Sequence, residues 1–302
     1  MRQRIAQGTA YWLWRLTAFL AQRLPQRVLY PLAVTLGEIA YLAWGTKRRI
    51  AKQNFAHVLD RPAEDRAVAR VARRSFRNFA KYVVEIMRFP RLRAEDLEHL
   101  VAIEGWEHIR GAMEKGRGII FVSIHFGNFE VGGARVAGAI PLNVIADDLS
   151  NQRLMDLLVG NRAHKNINIH TPNGAARKVL SALRRNEMVG VMMDLGPRAF
   201  AFNTVNADFF GAPAAFPTVA ADLARVSGAP IVVGAVVRQH DNTFRGVALP
   251  PIWVDRARQA AEETARVTSA IADALEGLIR PCPDQWYIFR PMWPAELSSV
   301  PA

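Results

Sequence analysis

The stretch richest in chemistry is Ser123-Ile-His125-Phe-Gly127-Asn128-Phe-Glu130-Val-Gly132-Gly133, which follows the apolar run Gly118-Ile-Ile-Phe-Val-Ser-Ile124. An imidazole titrates near neutrality, so a histidine with a carboxylate close by can take a proton from an alcohol while the carboxylate orients the ring and stabilises its charged form. On a continuous helix residues five apart lie about 140° apart, so His125 and Glu130 meet only if a turn intervenes. Gly127 and Asn128 supply turn residues at that place. A lone histidine after a strand is usually structural, so what His125 does depends on the elements that position it.

The apolar run 118–124 reads as a short buried strand, and in open α/β sheets sites gather beyond the carboxyl ends of such strands. Further apolar runs at Leu142–Ala146, Met188–Met193 and Ile231–Val237 alternate with helix-like stretches at 151–164, 174–185, 216–227 and 260–279, and Thr243–Leu249 could add a strand. This alternation predicts an α/β domain with a mixed or mostly parallel central sheet flanked by helices. Residues 47–110 read as helical and basic, with Val68, Val71, Phe76, Phe79, Tyr82, Val83 and Ile86 at roughly helical spacing. No repeat or low-complexity linker divides the chain after residue 46, so 47–302 is expected to be one domain.

Residues 1–46 differ, with Tyr11, Trp12, Trp14, Phe19, Tyr30, Tyr41 and Trp44 set among aliphatics. The 17 residues Val28–Trp44 carry one ionisable group, Glu38. As a helix that run spans about 25 Å, short of a bilayer core of about 30 Å. Aromatic residues near both ends, followed by Lys47, Arg48 and Arg49, predict a helical membrane-associating segment with its basic end at the cytoplasmic headgroups, the alternative being a soluble helical subdomain that packs this face on its own core. The whole chain of 302 residues holds 39 Lys+Arg against 27 Asp+Glu, a net charge of +12 that suits an anionic partner. Nucleic acid is set aside because no basic sheet interleaved with aromatics is legible. A single cysteine, Cys282, excludes a disulfide framework.

The sequence lacks G-x-G-x-x-G, G-x4-G-K-[ST], G-x-S-x-G and H-E-x-x-H, so dinucleotide, P-loop, α/β-hydrolase and zincin assignments lose their defining residues. The remaining histidines show no ligand spacing, and no metal or cofactor is expected. His125-x4-Glu130 within Ile-His-Phe-Gly-Asn-Phe-Glu instead resembles the H-x4-D/E block of glycerolipid acyltransferases, particularly the lipid A biosynthesis lauroyl/myristoyl acyltransferase family. Four further blocks follow in that family's order. They are Asp148-Leu-Ser-Asn151 through Arg162, Asp194-Leu-Gly196-Pro197-Arg198, Phe209-Phe210-Gly211-Ala-Pro213 with Thr218, and Pro283-Asp284-Gln285-Trp286.

The resemblance implies transfer of a fatty acyl group from a thioester, acyl carrier protein or acyl-CoA, to a hydroxyl of a membrane lipid on the cytoplasmic side of the inner membrane. His125 would be the general base and Glu130 its orienting partner. Arg162 would place positive charge beside an oxyanion or phosphate, with Asp194, Arg198 and Asn128 also assigned to substrate binding. After Trp286 the chain reads Tyr287-Ile-Phe289-Arg290-Pro291-Met-Trp293 where many lipid A enzymes resemble W-x-x-H-R-R-[FW]. Phe289 in place of that histidine leaves the acceptor open between a lipid A-type glycolipid and a phosphatidylinositol mannoside or other phospholipid. From another class, a basic non-catalytic membrane- or nucleic-acid-binding protein fits the charge but gives no reason for His125 and Glu130.

Overall fold

The computed structural model describes residues 2–145, 151–170, 174–196 and 203–293. Four helices come first: α1 (Arg2–Ala21), α2 (Gln26–Ala43), α3 (Gly45–Leu59) and α4 (Arg66–Arg88). The sheet domain then runs α5 (Ala94–Leu100), β1 (Val101–Glu104), α6 (Trp106–Met113), β2 (Ile119–Ser123), α7 (Phe129–Ala137), β3 (Leu142–Ile145), α8 (Gln152–Ala163), β4 (Ile167–His170), α9 (Ala175–Arg184) and β5 (Met188–Met192). It closes with the hairpin β6 (Thr204–Phe209) and β7 (Ala212–Pro217), then α10 (Val219–Ser227), β8 (Ile231–Arg238), β9 (Phe244–Ala248) and α11 (Ala260–Ile279).

Seven strands form one sheet in the order β1-β9-β8-β2-β5-β3-β4. Every neighbouring pair is parallel except β8 with β9. The mixed, mostly parallel sheet flanked by helices is therefore the architecture the alternation of apolar runs predicts. Parallel strands must be covered on both faces, which is why Ile119-Ile-Phe-Val122 is apolar without alternation. One face packs Ile120, Val122, Val189, Val191, Val233 and Ala235 against α4, α9, α10 and α11. The other packs Ile119, Met188 and Val232 against α5, α6 and α7.

β2 and β5 are neighbours in register, Ser123 opposite Met192, so their carboxyl ends open on the same edge. The chain leaves β2 towards β3 and leaves β5 towards β8, in opposite directions along the sheet. Residues just beyond these two strand ends stand where sites gather in open α/β sheets.

The break between α2 and α3 falls at Trp44, so residues 45 and 46 already belong to α3, and the first two helices share a packed interior with the rest. At Gly37 the backbone of α2 crosses α4 so closely that a Cβ would lie 2.8 Å from the Arg77 Cα. Arg88 of α4 donates to the Leu24 carbonyl at 2.7 Å, and Tyr30 of α2 donates to Glu85 of α4. The outward faces of α1 and α2 remain apolar and exposed, including Trp12, Leu13, Leu16, Leu32, Leu36, Ile39 and Leu42. Among the described residues no single helix is long and apolar enough to cross a membrane, whereas α2 and α3, bent by 94°, meet the length and composition only as a pair.

Four segments differ from the sequence expectation, the first being the β6–β7 hairpin, where no strand is expected. β1 falls inside the stretch read as wholly helical. β4 is a four-residue strand that the reading passes over. The helix expected from 216 begins at Val219, because Phe216 and Pro217 finish β7.

Candidate active site

His125 lies two residues past the end of β2 and Asp194 two residues past the end of β5. Strand register alone therefore brings them together. The imidazole Nδ1 is 2.8 Å from Asp194 Oδ1. The His125 backbone N–H donates to Oδ2 at 3.0 Å, and the Trp286 indole N–H donates to the same oxygen at 2.9 Å. Asp194 is 1% exposed while the His125 side chain is 30% exposed. Burial acts to raise the Asp194 pKa, but the His125 charge and the three N–H donors outweigh it and leave the carboxyl below its ordinary value. An ionised carboxylate can only accept, so Nδ1 carries the proton and Nε2 is left with its lone pair for a substrate proton.

Glu130 does not orient His125; this corrects the expectation drawn from the five-residue spacing. The turn takes Gly127 and Asn128, α7 begins at Phe129, and it is the Phe129 ring that stands edge-on to the imidazole at 5.3 Å. One residue further round the helix, Glu130 faces α8 and binds the Arg162 guanidinium bidentately, Nε to Oε2 at 2.9 Å and Nη2 to Oε1. Burial acts to lower the Arg162 pKa, and the Glu130 partner overcomes it, so the guanidinium keeps its charge. Arg162 is thus paired with Glu130, with Nη1 outside the bidentate pair. Tyr82 of α4 is buried close enough to feel both charges, and burial followed by the Glu130 charge pushes its phenol up. Its ring lies 5.0 Å from Phe129.

Asn128 is also corrected, from substrate binding to architecture. Its Oδ1 caps α7 by accepting from the Val131 N–H at 3.0 Å, its Nδ2 donates to Glu85 at 2.8 Å, and it has no exposed surface. Asp194 moves from substrate binding to partner of the imidazole. Arg198 and Asp148 lie outside the described residues.

The C-terminal Pro283-Asp-Gln-Trp286 segment holds the His125 turn from the other side. Gly127 N–H donates to the Gln285 carbonyl at 2.9 Å and Tyr287 N–H to the His125 carbonyl at 2.8 Å. Gly127 has φ +57°, and a Cβ there would stand 1.6 Å from the Val236 carbonyl oxygen, so only glycine fits. The segment is itself fixed by the first helices: Asn54 of α3 donates to the Arg290 carbonyl at 2.8 Å, and Ser75 of α4 donates to the Trp286 carbonyl at 3.0 Å. Phe209, at the tip of β6, packs on Trp286 and Trp293 at 5.9 and 5.8 Å. The donor role of Trp286 carries no signal in the local sequence. An open cleft of about 640 Å³ between the end of α3 and the β6–β7 turn is lined by His57, Arg61, Phe210 and Arg280 and includes neither His125 nor Asp194. No group of three or more histidine, cysteine and acidic side chains suited to a metal occurs among the described residues.

Fold and site together define an α/β enzyme in which a carboxylate-held, partly exposed histidine stands beyond the carboxyl ends of β2 and β5. The chain belongs to the bacterial lipid A biosynthesis acyltransferase family, whose model matches residues 2–294. It is an acyltransferase. It is similar to the phosphatidylinositol mannoside acyltransferase of Mycolicibacterium smegmatis, 24% identical over 252 residues covering 82% of this chain and 80% of that protein. The protein of the same name from Mycobacterium tuberculosis is 26% identical over 234 residues, covering 74% of this chain and 70% of the relative. Among solved structures, the 1-acyl-sn-glycerophosphate (LPA) acyltransferase PlsC from Thermotoga maritima aligns over 84% of this chain and 97% of its own, with 15% identity and a TM-score of 0.38.

Proposed function

We propose that this acyltransferase moves a fatty acyl chain from a thioester, acyl carrier protein or acyl-CoA, to a hydroxyl of an anionic glycolipid at a membrane surface, with His125 as general base. The observation that carries the reading is the exposed imidazole whose Nδ1 is held at 2.8 Å by the buried, ionised Asp194. His125 Nε2 takes the proton as the acceptor oxygen bonds to the thioester carbon. The tetrahedral intermediate then expels the thiolate, which recovers that proton from the imidazolium. Asp194 stabilises the charge that His125 carries between the two events. Arg162, screened by Glu130, has Nη1 left for a donor or acceptor phosphate.

For the acceptor, the relatives named phosphatidylinositol mannoside acyltransferase and the replacement of the expected histidine by Phe289 favour a phosphatidylinositol mannoside or related glycolipid over lipid A. The exposed apolar faces of α1 and α2, flanked by Arg15, Arg23, Arg27 and Arg48, support attachment to the cytoplasmic face of the inner membrane by helices lying in the interface. The test is mass spectrometry of lipids made by the purified protein on vesicles, offered both thioester donors and either a mannosylated phosphoinositide or a lipid A precursor. Acylation of the mannosylated lipid alone supports this acceptor, acylation of the precursor alone replaces it, and no acylation of either refutes the glycolipid reading.

A further inference from the structure

Beneath the His125 turn lies a buried polar cluster that the proton transfer does not use. Glu85 of α4 accepts from four donors: at Oε1 from the Tyr30 hydroxyl at 2.7 Å and Arg238 Nη1 at 2.5 Å, and at Oε2 from Asn128 Nδ2 at 2.8 Å and Arg238 Nη2 at 2.7 Å. All four residues are buried. Burial acts to lower the Arg238 pKa, and Glu85 more than reverses it, so the guanidinium keeps its charge inside the protein. A buried ion pair is a poor stabiliser, because apolar residues of similar volume commonly serve as well; what it can supply is a single geometry.

That geometry converges on the turn. Asn128 has one arrangement open to it: Oδ1 is committed to the Val131 N–H, so its amide hydrogens must point at Glu85. Arg238 reaches the turn by a second route. Its backbone N–H donates to Gln285 Oε1 at 2.7 Å and its carbonyl accepts from Gln285 Nε2 at 2.9 Å, while the Gln285 carbonyl accepts from Gly127. Both arms of the turn are therefore tied to one carboxylate, and α2 is tied to it through Tyr30.

We infer that Glu85 is a positioning residue: through the Asn128 amide and Arg238 it fixes residues 125–130 so that the His125 ring stays registered on Asp194. The inference rests on the general-base reading of His125, and the test separates the two. Glu85→Gln removes the charge and two acceptor lone pairs. Tyr30→Phe, a milder variant, removes one hydrogen bond and leaves the ion pair intact. Glu104→Gln, which alters an exposed pair with Arg245, is the control.

For each, 15N-histidine NMR reads the His125 tautomer, amide hydrogen exchange reads residues 125–131 against β2 and β5, and steady-state kinetics with thioester and lipid acceptor read kcat and KM. Glu85→Gln is expected to lower kcat roughly 10- to 100-fold with KM within about threefold, since small displacements of a catalytic group cost rates of that order. It is also expected to mix the His125 tautomers and to accelerate exchange in 125–131 while the strands stay protected. Tyr30→Phe moves the same readouts in the same direction by less, and it carries the test if Glu85→Gln does not fold. Unchanged tautomer and local exchange in the folded variants, or exchange that quickens throughout in step with a lower Tm, overturns the inference. If the wild type transfers no acyl group, the general-base reading fails, and NMR and exchange still decide whether Glu85 holds the turn.

Discussion

Asp194→Asn changes one atom and separates the two functions of that side chain. The carboxylate accepts from three donors, two of them on Oδ2 and one, the His125 Nδ1–H, on Oδ1. An asparagine keeps one oxygen, and its better orientation leaves that oxygen where Oδ2 was, satisfying the His125 and Trp286 N–H groups. The new NH2 then faces Nδ1. Two donors cannot share that contact, so the imidazole takes the proton on Nε2 instead and presents no lone pair to the acceptor hydroxyl. The alternative orientation leaves two buried donors unsatisfied, at about 1–3 kcal/mol each, and is disfavoured for that reason.

The expected loss in kcat is therefore on the order of 10²–10⁴, the size of a general-base contribution, with a change in Tm of only a few degrees. Raising the pH should not restore the rate, because the fault is a tautomer and not a proton too many. The assay is initial acyl transfer at saturating donor and acceptor, with thermal melting and 15N-histidine NMR on the same sample. A variant within about fivefold of wild type, or one whose loss is repaired at high pH, refutes the geometric argument.

Other outcomes follow from the same geometry. Arg162→Ala strands a largely buried Glu130 and should cost about 3 kcal/mol in urea unfolding, with the Glu130→Ala/Arg162→Ala pair losing much less than the sum of the single variants; additive losses would show that the pair does not act as a unit. Arg162→Lys should keep partial activity, since an ammonium cannot reproduce the fork, and wild-type activity in Arg162→Ala would leave it without a functional role. Gly127→Ala places a methyl against the Val236 carbonyl in a left-handed backbone and should destabilise the fold by more than about 2 kcal/mol, read by thermal melting. Because the folded-state pKa of Asp194 lies below its unfolded value, its contribution to stability is present above the unfolded carboxyl value and is lost as pH falls through the folded one. Asp194→Asn should therefore flatten part of the acid limb of the stability curve, and an unchanged limb would deny the shift. Replacing exposed Leu32 and Leu36 by Glu should release the protein from anionic vesicles without altering its Tm, whereas retained vesicle binding would place the attachment elsewhere.

The sheet was legible where strands are long and buried on both faces, as at Ile119–Ser123, Met188–Met192 and Ile231–Arg238, because burial on two sides writes a continuous apolar run. The β6–β7 hairpin was not, since its turn places Phe210 at φ +54° before Gly211, and a phenylalanine in that conformation announces no turn. His125 stood out by its position after a strand, but its partner did not: Glu130 is near in sequence, whereas Asp194 is near only because β2 and β5 are adjacent in register. Sheet order decides that pairing, and sheet order is not written in local periodicity. Glu85 carried a faint signal, an acid on the apolar side of an otherwise arginine-rich helix beside Tyr82 and Ile86. Its partners Tyr30, Asn128 and Arg238 come from three other elements, and only the folded chain assembles them.

The central claim is that the His125 imidazole removes the acceptor proton. Its most direct test is the acyl-transfer rate of His125→Ala at saturating thioester and glycolipid on vesicles, with products counted by mass spectrometry and folding checked by thermal melting. A folded variant slowed by about 10²–10⁴ agrees with general-base catalysis at this residue. A folded variant that transfers at the wild-type rate contradicts it and moves the chemistry away from the β2 and β5 strand ends.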